Sequence, residues 1–443
     1  MAVLTLLTNK MTYPSSLSSW LFALSFFFAP LSSLTVAAHI SICDVLLVSG
    51  GVMALIERMA RGESVPVLLT CIAILVSLTF CFFISMLDDG LQFFSAYAVA
   101  IIAYVLTPQA VVFMRLSGLS EMRFMIGAWT LGGVVGAFFI LAYCGDLIPT
   151  QFQYYDWYWK HTARARGLTY HPNLSGVGCM LSLAGLLYFL TSARSNINKI
   201  IIFALMLITL KALDYTGARS SFVATFVLLI VWGGLHFRSL INARGIPKNT
   251  FNRIAIFAIG ILLVLAIYTL LGGDLLILAR VWNRFFVGDR AADMSVTIRE
   301  SLNTRAWNSF LESPIWGDGF QWIAFSRSGV AHNMYLQYLQ ASGIVGFLAL
   351  ILFLLYPVIF SMKMEMKRLS DETRNLNRAL LSAAVALMVW LWAQSGFSDY
   401  EATLVFSLLL FAKASRIYGS QSAAEESIAD IPSKNPIRLP EYK

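Results

Sequence analysis

Charge is what this chain has least of. Only 13% of its 443 residues are Asp, Glu, Lys or Arg, against 58% hydrophobic, and the mean hydropathy is +0.71. A soluble domain carries about twice that charged fraction, so a water-soluble globule is excluded. Cysteine is also sparse: Cys43, Cys71, Cys81, Cys144 and Cys179 lie in or beside apolar blocks with no CxxC spacing. That pattern excludes a disulfide framework and a zinc site and leaves small buried hydrophobes. There is no phosphate-binding glycine loop, no dinucleotide fingerprint and no histidine-rich metal cluster. The acidic residues of the two long polar loops (Asp146, Asp156, Asp274, Asp289, Asp293, Asp318) form no DxD pair to hold a divalent ion on a pyrophosphate. No cofactor and no metal are therefore expected. Aromatic–basic interleaving of the RNA-binding kind is missing, which removes nucleic acid as a partner, and no internal repeat points to an inverted-repeat transporter.

What is present is apolar sequence in blocks of about 17 to 25 residues, the length that crosses ~30 Å of hydrocarbon as helix. Twelve such blocks can be drawn, at 18–38, 40–56, 65–86, 92–114, 122–144, 173–191, 197–214, 217–236, 254–273, 333–361, 379–396 and 402–418. The expected fold is all-α, a polytopic membrane protein of about twelve transmembrane helices over residues 1–420. The first block is long for a signal peptide and is preceded by a polar stretch with a single Lys10, so it reads as a span. Residues 421–443, rich in Ser, Ala, Glu and Pro without apolar period, read as a disordered tail.

Orientation follows from Lys and Arg. With the N-terminus taken as cytoplasmic, alternate loops carry Arg58 and Arg61, then Arg115 and Arg123, then Arg194 and Lys199. The series continues with Arg238 to Arg253, then Lys363 to Arg378. Short loops on the other side, near Asp88-Asp89-Gly90 and Ser398-Asp399-Tyr400, carry none. Both termini are thus expected in the cytoplasm, and the net charge of +8 reflects topology.

Two outer loops break the bias. Residues 145–172 hold Lys160, His161, Arg164, Arg166 and His171 among Tyr and Trp; residues 274–332 hold Arg280, Arg284, Arg290, Arg299, Arg305, Arg327 and His332. Long loops escape the charge rule, so a solvated face with an aromatic belt is the plain alternative. In the second loop, Ile298, Leu302, Ala306 and Phe310 mark an amphipathic helix ending near Glu312-Ser313-Pro314. Arg299 and Asn303 lie one position round from that stripe, and Gly317-x-Gly319 is expected as a flexible turn. The helix is expected to lie on the membrane surface. A guanidinium there suits a pyrophosphate, because its planar fork gives bidentate, permanently charged hydrogen bonds; a snorkelling arginine is the alternative. At the re-entry point, His332 and Asn333 precede Gln337 and Gln340, polar groups expected to face the bundle interior. A histidine there can accept a proton from a hydroxyl, or orient it, near neutral pH, or it can simply cap a helix. Arg219, in Thr216-Gly217-Ala218-Arg219-Ser220, opens another block from the same side, with Lys211 two turns earlier. Arg166-Gly167 and Tyr170-His171-Pro172-Asn173 approach the sixth block similarly, with His161 and His171 as weaker site candidates.

These motifs resemble those of the bacterial O-antigen ligases and the related O-antigen and exopolysaccharide polymerases. The family pattern is an arginine, about fifteen residues, Pro-x-x-Gly-x-Gly, a short loop, His-Asn-x-x-Leu, then Gly-x-x-Gly. Here the matching residues are Arg299, Pro314 to Gly319, His332 to Leu336, and Gly343-Ile344-Val345-Gly346. Thr216 to Ser220 is similar to the family's Ser/Thr-Gly-Ser-Arg, with Ala218 for the serine. Asn303 stands where many members have an aromatic, which leaves Arg305 as a substitute for Arg299. The resemblance covers about 160–350. It implies a GT-C-like glycosyltransferase with a mostly helical periplasmic loop at 274–332, working without metal on an undecaprenyl-diphosphate-linked glycan in a bacterial inner membrane, with its active site facing the periplasm. His332 would activate or position the acceptor hydroxyl. Arg219 and Arg299 would stabilise the departing diphosphate in a single inverting displacement. Arg166, Arg284, Arg305, Asn333 and Tyr170 would bind substrate. A ligase hands the glycan to lipid A-core; a polymerase hands it to a lipid-linked repeat unit. A transporter or flippase accounts equally well for twelve helices and inward arginines, but not for the His-Asn pair at a loop mouth.

Overall fold

The computed structural model describes residues 16–31, 34–37, 40–65, 67–89, 94–114, 119–145, 147, 164–169, 171–244, 294–319, 331, 333–367, 369–394, 405–406 and 408–409. Among these the chain is helical apart from one short antiparallel pair, β1 (Thr35–Ala37) with β2 (Ile40–Ser41). The helices are α1 (Leu17–Phe28), α2 (Ile42–Ala60), α3 (Leu69–Asp89), α4 (Phe94–Ile101), α5 (Thr107–Phe113), α6 (Leu119–Cys144), α7 (Pro172–Ser192), α8 (Asn196–Thr216), α9 (Arg219–Arg244), α10 (Met294–Glu312), α11 (Met334–Glu365) and α12 (Asp371–Leu391). Six of them are long and apolar enough to cross a membrane: α3, α6, α7, α8, α9 and α11. The block at 254–273, the loop up to residue 293 and the tail at 421–443 lie outside the described residues, and block 402–418 is described at four positions only.

Two apolar blocks do not run as single helices. The block expected over 18–38 stops as α-helix at Phe28, passes through a 3₁₀ turn at Ala29–Leu31, and turns into β1. Pro30 has no N–H to continue the ladder. The block at 92–114 is α4 and α5 joined by a π turn at Ile102–Leu106. Pro108 cannot donate either, and the Ile102 carbonyl accepts both the Thr107 N–H and, at 2.8 Å, the Thr107 hydroxyl, the i→i+5 bond of a π turn.

α7 is the hub, the most deeply buried of the six candidate spans, packed by α6, α8, α9 and α12. Small residues set these approaches: a methyl on Gly133 of α6 would overlap Ser182 of α7, and one on Gly176 of α7 would overlap Ala218 and Ser221 at the start of α9. Close backbone contact is how helices gain packing energy where lipid removes the hydrophobic drive.

The helix ends sort into two groups. One gathers ion pairs. Arg58 meets Glu63 at 3.4 Å, Arg123 of α6 meets Glu372 of α12 at 2.8 Å, and Arg378 of α12 meets Glu365 of α11 at 2.5 Å. Asn377 adds bonds to Glu365 and to the Ser361 carbonyl. The Arg378 and Glu365 side chains are 5% and 10% exposed, so each neutralises a charge that would otherwise be stranded.

At the other group of ends, α11 is interrupted. Gly343 takes φ 58°, ψ −162° inside it, freeing the carbonyls of Gln340 and Ala341. The turn after α10 fills the gap. Asp318 N–H donates to Gln340 O at 2.8 Å, Gly319 N–H to Ala341 O at 2.9 Å, and Ile344 N–H returns a bond to Pro314 O at 2.9 Å. The turn expected to be flexible is therefore docked. Gly317, Gly319 and Gly343 all have positive φ, and a Cβ on Gly343 would lie 2.2 Å from Ile315 O. Trp316 also packs on Phe80 of α3, ring centroids 4.6 Å apart.

Two variants test this frame. Arg378→Ala should lower stability by about 3–5 kcal/mol, because Glu365 stays buried without its partner; thermal unfolding in detergent showing a loss under about 1 kcal/mol would contradict it. Gly343→Ala should lose about 1–3 kcal/mol from backbone strain alone, whereas Gly234→Ala, whose added methyl meets nothing within 4 Å, should be close to neutral.

Candidate functional site

The second group of helix ends brings together segments far apart in sequence: 164–169 and 171–173, the α8–α9 turn, the C-terminus of α12, the N-terminus of α11, and α10. The turn at Gly217 is left-handed, φ 57°, and ends α8 with its N–H on the Asp214 carbonyl at 2.9 Å. The Thr216 hydroxyl accepts from Ala218 N–H at 3.1 Å. This capped turn makes Arg219 the first residue of α9, with an exposed side chain, while Thr216, Ala218 and Ser221 are fully buried. Lys211 does not stand alone: it pairs with Asp214 at 3.9 Å and lies over the Tyr215 ring.

Arg299 sits half-buried on α10, on the same side as Asn303. Burial first, and the Arg219 guanidinium second, hold Arg299 below the ordinary arginine value. Two residues separated by eighty positions thus sit within Coulombic reach of each other. Like charges repel, so an arrangement that holds two guanidiniums together favours an anion between them. Arg305 is exposed; six residues along a 3.6-residue helix turn it to a different side from Arg299. Leu302, Ala306 and Ser309 form the buried face of α10, while Ile298, at its exposed end, is 48% accessible. Asn303 Oδ1 is buried with no hydrogen-bond partner among the described residues.

Asn333 is buried and caps α11, its Oδ1 accepting from Tyr335 N–H at 3.0 Å and Leu336 N–H at 3.2 Å. That use satisfies helix N–H groups, a role the sequence did not assign to it. The first turns of α11 lie on the end of α12, with the Tyr335 hydroxyl on Met388 O at 2.9 Å and its ring 5.9 Å from Trp392. Gln337 and Gln340 are buried, as expected, and Gln337 Oε1 has no hydrogen-bond partner among the described residues. His332, Tyr170, Arg284 and His161 lie outside the described residues. His171 caps α7, its Nδ1 accepting from Asn173 N–H at 3.1 Å.

Arg166 is half-buried, and its carbonyl accepts from Thr169 N–H at 3.1 Å and from the Thr169 and Ser175 hydroxyls. Sequence reasoning passed over its neighbour Arg164. That side chain donates from Nε to Thr216 O at 3.0 Å and from Nη2 to Asn173 Oδ1 at 2.7 Å. Asn173 Nδ2 continues to Gln394 Oε1 at 2.9 Å, and Gln394 Nε2 to Ser220 Oγ at 2.8 Å. Trp390 Nε1 donates to Ser221 Oγ at 3.0 Å. Nothing local marks these partners, since the network links residues 164, 173, 216, 220 and 394. Among the described residues, no three His, Cys, Asp or Glu side chains cluster as a metal site would require.

No curated protein matches the chain. Residues 201–351 match a family model described as O-antigen ligase. That stretch, about a third of the chain, contains the Arg219 turn, α10, the docked glycine turn and the start of α11, and over it the chain is similar to the O-antigen ligase family.

Proposed function

We propose that the protein is an O-antigen ligase-type glycosyltransferase. It moves a glycan from undecaprenyl diphosphate to a hydroxyl of lipid A-core, on the periplasmic face of a bacterial inner membrane. The observation that carries this reading is that Arg299, half-buried on α10, lies within reach of the Arg219 charge at the end of the bundle opposite the ion-paired end, where two guanidiniums can serve one anion. A diphosphate leaving group gains negative charge as its bond to the sugar breaks, and fixed cations aimed at that charge lower the barrier without reorganising. Arginine does this with no divalent ion. His332, one residue before the cap of α11, is assigned to the acceptor hydroxyl, taking its proton or orienting it as the oxygen attacks the anomeric carbon. The displacement is single and inverting. Arg166, Arg284, Arg305, Asn333 and Tyr170 are assigned to substrate binding, with Arg299 ahead of Arg305 because Arg299 shares the field of Arg219. The bundle is assigned twelve spans with both termini in the cytoplasm, the ion-paired end facing inward by its Lys and Arg content.

Purified protein in detergent should transfer glycan from the lipid-linked donor with no membrane gradient and with EDTA present. His332→Ala and Arg219→Ala should each abolish transfer while the protein still inserts, and Arg299→Ala should slow it by about 100-fold or more. Wild-type transfer in any of the three removes that residue from the site. Lipopolysaccharide from a deletion strain identifies the acceptor. Bare core with accumulated lipid-linked polymer means a ligase, and single repeats still joined to core mean a polymerase.

A further inference from the structure

We propose that Arg164 is the positioning residue for Arg219: it holds the turn that aims the Arg219 side chain, without itself belonging to the charge-bearing set. The argument begins with the end of α8. A helix ends with carbonyls that lack partners, and at a membrane boundary these need donors from elsewhere in the chain. Segment 164–165 supplies them. Ala165 N–H donates to Tyr215 O at 2.9 Å, and Arg164 Nε donates to Thr216 O at 3.0 Å. The Arg164 stem then lies along Gly217, where an added Cβ would come 3.1 Å from Arg164 Cγ. The turn is thereby covered on the face that would otherwise be open to rearrangement.

The guanidinium also reaches the far side of Arg219. Its Nη2 bond to Asn173 Oδ1 orients that amide, so that Nδ2 faces Gln394, and Gln394 in turn holds the Ser220 hydroxyl. Ser221 donates to Asn173 O at 3.4 Å and accepts from Trp390. Arg219 is therefore bracketed. Thr216 is fixed directly by Arg164 on one side, and Ser220 is fixed through the Asn173–Gln394 relay on the other. A planar guanidinium is suited to this, since one rigid fork serves two acceptors at set angles, which an ammonium cannot do. Misplacing a reacting or stabilising group by about 1 Å can slow a reaction about 100-fold. The kinetic consequence rests on the transfer chemistry proposed above; the structural one does not.

Both arms are measurable on the full-length protein in nanodiscs. Hydrogen–deuterium exchange should show the amides of 216–222 exchanging at least about tenfold faster in Arg164→Ala, a local opening, with the first turns of α12 unchanged. Gln394→Leu, which breaks the relay from the other side, should loosen the same amides if Arg164→Ala proves too unstable to purify. In glycan transfer, Arg164→Ala should lower kcat about 100-fold with little change in KM, and Arg164→Lys should restore little of it. In an Arg219→Lys background, the further change Arg164→Ala should cost no more than about twofold, because the two act as one unit. Unchanged exchange at 216–222 overturns the proposal, as do kinetic losses that multiply in the double variant. Should the turn loosen while the wild type moves no glycan, the positioning role stands and the transfer reading fails.

Discussion

Backbone groups inside an apolar slab have no water to bond, and that obligation organises the described bundle. At two places among the described residues, the α8–α9 turn and the break in α11, freed carbonyls find donors from a distant segment. Gln340 and Ala341 are met by Asp318 and Gly319, Tyr215 and Thr216 by Ala165 and Arg164. Each interruption is thus also a docking point, and the docking points bring the Arg219 turn, α10 and the start of α11 to one end.

This explains how cations come to be held where an anion is to bind. Arg299 is carried by α10, whose C-terminal turn is fixed on the break in α11, while Arg219 is carried by a turn fixed to 164–173. Neither depends on its own flexible side chain for its place in the fold. The opposite end is built differently: there, Arg123, Arg378 and Arg58 each meet a carboxylate. Among the described residues, arginines at one end pair with carboxylates, while at the other Arg299 lies in the field of Arg219 and Arg164 binds backbone and amide oxygens.

The glycines of the Pro-x-x-Gly-x-Gly and Gly-x-x-Gly stretches belong to the same account. In sequence the first reads as a flexible turn, and the second lies within the apolar block 333–361. In the fold Gly317 and Gly343 are two halves of one contact, each at positive φ and each so close to the other's segment that a Cβ would overlap it, while Gly319 and Gly346 admit α3. Asn333, expected to meet substrate, has its side-chain oxygen committed to capping α11.

Hydropathy alone determined the class of this protein, the approximate position of its long helices and the loop that carries Arg299, because crossing a membrane demands a run of apolar residues of a set length. Periodicity placed α10 and its end, and residue types nominated Arg219 and Arg299. Only the tertiary structure decided that α1 stops before Pro30, that α11 breaks at Gly343, and that Arg164 grips both Thr216 and Asn173. The reason is one of range: each of these depends on what stands opposite in space, and a hydrogen bond between residues 52 or 221 positions apart leaves no local signature in the chain.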